Sequence, residues 1–178
     1  VVRLEVLLTG SGGVDNLILC LPAGTPGTQA VAAGVELYGC GVNPASSISI
    51  VSGTPSLGST LVVGIDNPIG SQSLGSLPYL ALSPRPDLNF PCGTMLPGFG
   101  MGFPYSGELL IDSELFISLT GPAWSGAGKP APIEVNFPND ASLLGLVLYV
   151  QGGLIDKSPR ALPAVGLTEA LELTIGSY

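Results

Sequence analysis

The chain has 178 residues with a formal net charge of -8, from 13 acids against 5 bases and no histidine. The acidic balance repels phosphate backbones and anionic membrane surfaces, so nucleic acid is excluded as an expected partner. Glycine (26) and proline (17) are abundant, yet 46% of residues are hydrophobic and 10% charged, which excludes a disordered polymer and predicts turns between short buried strands.

In chain order, Val2-Arg3-Leu4-Glu5-Val6-Leu7-Leu8 opens with period-two alternation. Val14 to Leu21 follows as a second apolar run beyond the turn Gly10-Ser11-Gly12-Gly13, and together they predict a hairpin. Ala30 to Tyr38 fits a strand or a short helix and is read as a strand, because Gly34 disfavours the helix. Ser47 to Val51 and Ser59 to Ile65 form the clearest expected antiparallel pair, separated by Gly53, Pro55 and Gly58. Pro78 to Leu82, Cys92 to Leu96 and Glu108 to Ile111 continue the series, with Pro84 and Pro86 keeping the intervening loop out of a central ladder. Ile133, Val135 and Phe137 alternate with polar residues, Leu144 to Leu154 is rich in strand formers, and Leu171, Leu173 and Ile175 alternate to the end.

Nine or ten short strands and no long amphipathic helix predict an all-β fold, an antiparallel β-sandwich or jelly roll, with a closed barrel as the alternative. The longest apolar run, Leu143 to Ile155, is interrupted by glycines and Gln151, so no membrane span is expected. The sequence opens at Val1 without a basic or apolar leader, and an export signal is expected to have been removed or left out. Three cysteines, Cys20, Cys40 and Cys92, fit no zinc motif and allow at most one intrachain bridge. With low charge and no histidine they favour an exported chain, extracellular or on the cell surface.

From Tyr38 onward an ordered set of short motifs stands out: Tyr38-Gly39-Cys40-Gly41, Gly53-Thr54-Pro55-Ser56-Leu57-Gly58-Ser59-Thr60 and Cys92-Gly93-Thr94-Met95-Leu96. These are followed by Phe137-Pro138-Asn139-Asp140-Ala141-Ser142-Leu143-Leu144-Gly145-Leu146, Tyr149-Val150-Gln151 and Leu171-Glu172-Leu173-Thr174-Ile175-Gly176. This set resembles a C-terminal β-domain recurring in large exported proteins of planctomycetes and related bacteria, a family without an established function. The resemblance implies a non-catalytic β-domain over residues 38–178 and a bridge between Cys40 and Cys92, which fall on family-like positions. In the chain-entropy model that bridge contributes about 4 kcal/mol. Cys20, within Leu17-Ile18-Leu19-Cys20-Leu21, reads as a small packed hydrophobe. The stretch between Cys92 and Gly107 is longer than the resemblance implies, and residues 1–37 lie mostly outside it, as N-terminal strands that join the same domain or connect subunits.

The chemical inventory argues against an enzyme. Without histidine there is neither the commonest general base nor the usual triad nor most catalytic zinc sites. Gly98-x-Gly100-x-Gly102 lacks dinucleotide spacing, and no nucleophile elbow or phosphate loop occurs. Asp112, Glu114 and Glu134 have the right type for carboxylate-based hydrolysis. Asp112 with Glu114, Asp66 with Asn67, and Asn139 with Asp140 offer oxygen ligands, but none has calcium-loop spacing. They read as turn chemistry, and neither metal nor cofactor is expected.

Interaction is therefore the expected function. Phe90, Phe99, Met101, Phe103 and Tyr105 form an aromatic- and methionine-rich loop that either presents a contact patch or caps the sandwich. Trp124, between Gly121 and Gly126, is a further loop aromatic that an exposed position would make a stacking platform. The alternation of Val2, Leu4, Val6 and Leu8 fits a strand that either completes its own sheet or adds to a neighbouring subunit's edge. The reading that joins these features is a self-assembling structural subunit of the cell exterior, a homo-oligomer or homopolymer forming a filament, sheath or surface layer. The alternative is a carbohydrate- or surface-binding accessory module that takes a surface glycan.

Overall fold

Alternating apolar residues bounded by glycine and proline generate ten strands in a computed structural model that describes residues 30–159 and 161–177. They are β1 (Gly34–Tyr38), β2 (Ile48–Ser52), β3 (Thr60–Ile65), β4 (Leu77–Ser83), β5 (Thr94–Pro97), β6 (Ser106–Leu109), β7 (Ile117–Thr120), β8 (Ala131–Asn136), β9 (Val147–Ile155) and β10 (Val165–Thr174). The expected N-terminal hairpin, with Val2, Leu4, Val6, Leu8 and Cys20, lies outside the described residues.

All ladders between these strands are antiparallel, and the fold is an all-β sandwich. One sheet has five strands in the order β1-β10-β9-β4-β7, the facing sheet has three in the order β2-β3-β8, and β5-β6 form a separate hairpin. β8 shows the physical logic most plainly: Ala131, Ile133 and Val135 are buried while Pro132, Glu134 and Asn136 are exposed, as period-two geometry requires of a strand covered on one face. Leu61, Val63 and Ile65 of β3 meet Leu80 and Leu82 of β4, Val150 and Leu154 of β9, and Leu171 and Leu173 of β10 in one core.

The β5-β6 hairpin forms a third layer beside β10, on the outer side of the five-stranded sheet. Buried amides fasten it. Gln151 Nε2 donates to the carbonyls of Glu108 (2.7 Å) and Thr168 (2.8 Å), and its Oε1 accepts from Leu110 N (2.9 Å). Asn43 Nδ2 donates to the same two carbonyls and Asn43 Oδ1 accepts from Glu108 N (2.9 Å). Because β9 and β10 are covered on both faces, Val150 to Leu154 are buried without alternation, and β10 extends back to Val165 rather than beginning near Leu171. A bulge between Leu167 and Ala170 turns the Thr168 hydroxyl onto Gly152.

Further boundaries differ from the sequence reading: β1 begins at Gly34 rather than Ala30, and β6 spans Ser106–Leu109 rather than Glu108–Ile111. β9 begins at Val147 because Ala141–Leu143 form a 3₁₀ turn capped by Asp140. Cys92 closes a turn onto Asn89, so the strand starts two residues later. β7 was not expected, since its four residues continue the apolar triplet Leu115-Phe116-Ile117 without a preceding turn signal. Pro86 forms an isolated bridge with Ile111 rather than a ladder.

The sheets are unequal in width, and this positions the candidate surfaces. β2 packs over β10, β3 over β9 and β4, and β8 over β4. β1 and β7 therefore overhang the facing sheet at opposite edges.

Candidate interaction surfaces

Register shows which side chains the overhang leaves uncovered. Ile117 pairs with Leu82 and Leu119 with Leu80, and directly opposed residues share a sheet face. Since Leu80 and Leu82 belong to the core, Ile117 and Leu119 also point inward. Leu119 is half-buried against the core, whereas Ile117 is 66% exposed. Leu115, Phe116, Ile117, Leu82, Pro84 and Leu148 line an apolar hollow of about 240 Å³ at this edge. Beside it, an open groove separates β7 from β8, lined by Ser118, Leu119, Thr120, Pro122, Glu134 and Asn136. Gly121 closes one end: a Cβ there would stand 2.5 Å from the Pro132 carbonyl oxygen, a contact glycine alone permits. At the opposite edge, Val35 and Leu37 pair with Leu173 and Leu171, share their inward face, and are likewise exposed. None of the ten strands contains a lysine or arginine, the residues that commonly protect an edge from pairing.

The aromatic loop divides. Phe103 is 88% exposed and meets the half-buried Tyr105 edge-to-face at 5.9 Å. Tyr105 adopts φ 64°, and its carbonyl accepts from Gly98 N (2.7 Å) and Gly100 N (3.0 Å), so the loop is tied to itself. Val42, Pro44, Ile69, Met95 and Phe103 line a shallow groove there. Phe99 is partly exposed, and its carbonyl accepts from Leu167 N (2.9 Å). Phe90 lies elsewhere, with Tyr38 (5.2 Å) and Tyr149 (5.8 Å). Burial pushes the Tyr38 hydroxyl pKa up, and that hydroxyl donates to the Leu110 carbonyl at 3.0 Å.

Two expected contact residues are corrected. Met101 is fully buried in the core, where its carbonyl accepts from Ser71 Oγ. Trp124 is 1% exposed, so it is no stacking platform. Its indole fills the core while Nε1 donates to Asp66 Oδ1 at 2.8 Å. A buried indole N–H needs such an acceptor, and the carboxylate supplies it. Asp66 also accepts from Asn67 N (2.8 Å) and Gly128 N (2.9 Å), so both oxygens are engaged in holding turns. Asp140 caps the 3₁₀ turn through Ser142 N.

Cys40 and Cys92 form the expected disulfide. Glu108 is the third potential metal-binding side chain beside them. The sulfurs are bonded to each other, and the carboxylate accepts from Cys40 N (3.0 Å) and Gly93 N (2.9 Å), making the cluster a structural clamp. Asp112 pairs with Arg85 at 2.8 Å and accepts from Glu114 N. Asp112 and Glu114 line a different hollow from Glu134, so the structure does not assemble those three carboxylates in one cleft.

The β7 surface was missed because its signal, Leu115-Phe116-Ile117 followed by Leu119, reads equally as a core strand. Only register and sheet width reveal that Ile117, on the inward face, stays exposed among the described residues. Compared with protein-family models, curated proteins and solved structures, the chain matches none.

Proposed function

We propose that the chain is an exported structural protein: a self-assembling β-sandwich subunit of a filament, sheath or surface layer, extracellular or on the cell surface. The observation that carries this reading is the inward-facing apolar face of β7, which lies beyond the reach of the three-stranded sheet and beside a strand edge without charge. Burying one such aliphatic or aromatic side chain contributes about 1.5–3 kcal/mol. On this face Ile117 is exposed while Leu119 already packs on the core, so the gain stays below the cost of association, about 4–15 kcal/mol. Backbone pairing along the edge must add to the apolar contact, which favours strand addition over simple face-to-face packing. The disulfide supports an oxidising location, and no helix among the described residues is long and apolar enough to cross a membrane. The reading requires neither cofactor nor catalysis.

Size-exclusion chromatography with light scattering, followed by negative-stain microscopy, tests it on the native chain and on one lacking residues 1–10. Polymers of the native chain and folded monomers of the truncated one are expected. A native chain that stays monomeric at high concentration would sink the proposal.

One observation favours a second reading, a carbohydrate- or surface-binding module. Phe103 stands exposed beside Tyr105 on a loop braced by its own backbone hydrogen bonds, an arrangement suited to stacking on a sugar face. Glycan-array binding that Phe103→Ala abolishes would support it.

A further inference from the structure

We infer that a hollow on the outer face of the five-stranded sheet, beside the β5-β6 layer, is a binding pocket for a small neutral molecule: a single apolar ring carrying one hydrogen-bond acceptor. This goes beyond the self-assembly reading and does not depend on it. The pocket encloses about 200 Å³. Tyr79 and Ala81 of β4 and Gln151 of β9 form its floor, on one sheet face because Ala81 pairs with Gln151 and Tyr79 stands two residues before Ala81. Leu109, Ile111 and Leu167 wall it on the side of the hairpin layer, and the exposed Ser113 and Phe116, on the chain leading into β7, make its rim.

Small residues create the space. Ala81 contributes only a methyl group to the floor, and Gly153, paired with Tyr79, contributes no side chain at all. A Cβ at Gly153 would stand 2.5 Å from the Tyr79 hydroxyl oxygen, so the phenol lies down against the backbone of β9 instead of standing up into the hollow. Its hydroxyl therefore rests over Gly153, whose partner Leu167 and near neighbour Gln151 both line the pocket.

The lining defines what can enter. Among the described residues none of the lining side chains is charged, so an ion would lose its hydration without meeting a counter-charge. Ser113 lies between Asp112 and Glu114 in the chain, which disfavours anions further. Gln151 is already spent on the fold, with Nε2 donating to two carbonyls and Oε1 accepting from Leu110 N. The Tyr79 hydroxyl makes no hydrogen bond among the described residues, and since no fully buried polar side-chain atom among them lacks a partner, this hydroxyl is reachable from outside. Burial pushes its pKa up to about 12, so at neutral pH it stays protonated and offers one donor. A carbonyl, ether or alcohol oxygen on the ligand answers that donor, and the remainder must be apolar. A dry apolar cavity of about 150 Å³ takes benzene, so this hollow suits a benzene or cyclohexane ring with a short substituent.

Equilibrium dialysis tests this on the full-length chain whether or not it polymerises, with acetophenone and its hydrocarbon isostere α-methylstyrene as probes. Saturable uptake of both is expected. Ser113→Trp, at the exposed rim, and Ala81→Leu, which fills the floor, are each expected to weaken it by at least about tenfold, with circular dichroism showing that the fold is kept. Tyr79→Phe is expected to weaken acetophenone about fivefold, the worth of one hydrogen bond, while α-methylstyrene stays within about twofold. No saturable uptake by the full-length chain overturns the pocket, and this includes the case in which a side chain from residues 1–29 already fills it. Uptake unchanged in folded Ser113→Trp overturns it as well, even if Ala81→Leu fails to fold. A Tyr79→Phe variant that loses both probes equally, or neither, overturns the acceptor requirement. Polymers without uptake would leave self-assembly standing, and uptake by a strict monomer would leave the pocket standing alone.

Discussion

Glu108 and Cys40 are 68 residues apart in sequence, yet the Glu108 carboxylate accepts the Cys40 backbone N–H at 3.0 Å. Its other oxygen accepts from Gly93 N, next to the second half-cystine, so one buried side chain holds both sides of the disulfide. Glu108→Gln preserves shape but turns an amide NH₂ toward a backbone donor. We expect a loss of about 1–3 kcal/mol in urea unfolding with the disulfide intact. A loss within error would show that the carboxylate is not what holds the two segments.

Trp124→Phe removes the indole N–H from Asp66 and leaves a buried carboxylate oxygen with one donor fewer. The lost charged hydrogen bond and the lost volume together are expected to cost about 2–4 kcal/mol. As the only tryptophan in the chain, Trp124 also reports its own burial. Its emission in the native protein is expected to be blue-shifted and resistant to iodide, and to become quenchable on unfolding.

Asp156 provides a pH test. Burial raises its pKa, but hydrogen bonds from Ser158 and Ser73 outweigh that effect and hold it at about 2. Its value in the unfolded chain is about 3.9. The folded value is the lower one, so the stabilisation is present above about pH 4 and is lost as pH falls toward 2. In denaturant titrations, Asp156→Asn is expected to be less stable than the native chain at pH 5, with the gap narrowing between pH 4 and pH 2. A gap that stays constant across this range would argue against the assignment.

Phe103→Ala separates surface from scaffold. A side chain this exposed is expected to change stability by less than about 0.5 kcal/mol on truncation. A thermal shift well beyond that, for example several degrees, would mean that the Phe103–Tyr105 contact braces the loop rather than presenting a ring to solvent.

How much of this was legible in the sequence depended on whether a segment had one covered face or two. β8 was readable from the alternation of Ile133-Glu134-Val135 because it packs on one side, and β2 from that of Ile48-Ser49-Ile50. β10 was foreseen only from Leu171, since the hairpin layer buries Gly166 to Thr168 as well and erases the period. Trp124 was open to a surface reading because the glycines flanking it mark turns, and turns usually lie outside. Its partner Asp66 is 58 residues away, a pairing that no local pattern encodes. The Cys40–Cys92 bridge came from the family resemblance, and the β7 overhang depends on counting strands in two sheets.

The disulfide has a mechanical consequence. It joins residues 52 apart, and that interval contains β2, β3 and β4, including the central strand of the smaller sheet. If the two ends of the chain are pulled, this interval cannot be drawn out, and roughly 170 Å of contour length is withheld from extension. The enclosed strands can lose their pairing but not their proximity. A subunit under tension would yield at β1 and β10 first and could recover from a short, covalently gathered intermediate, whereas reduction would release the stored length.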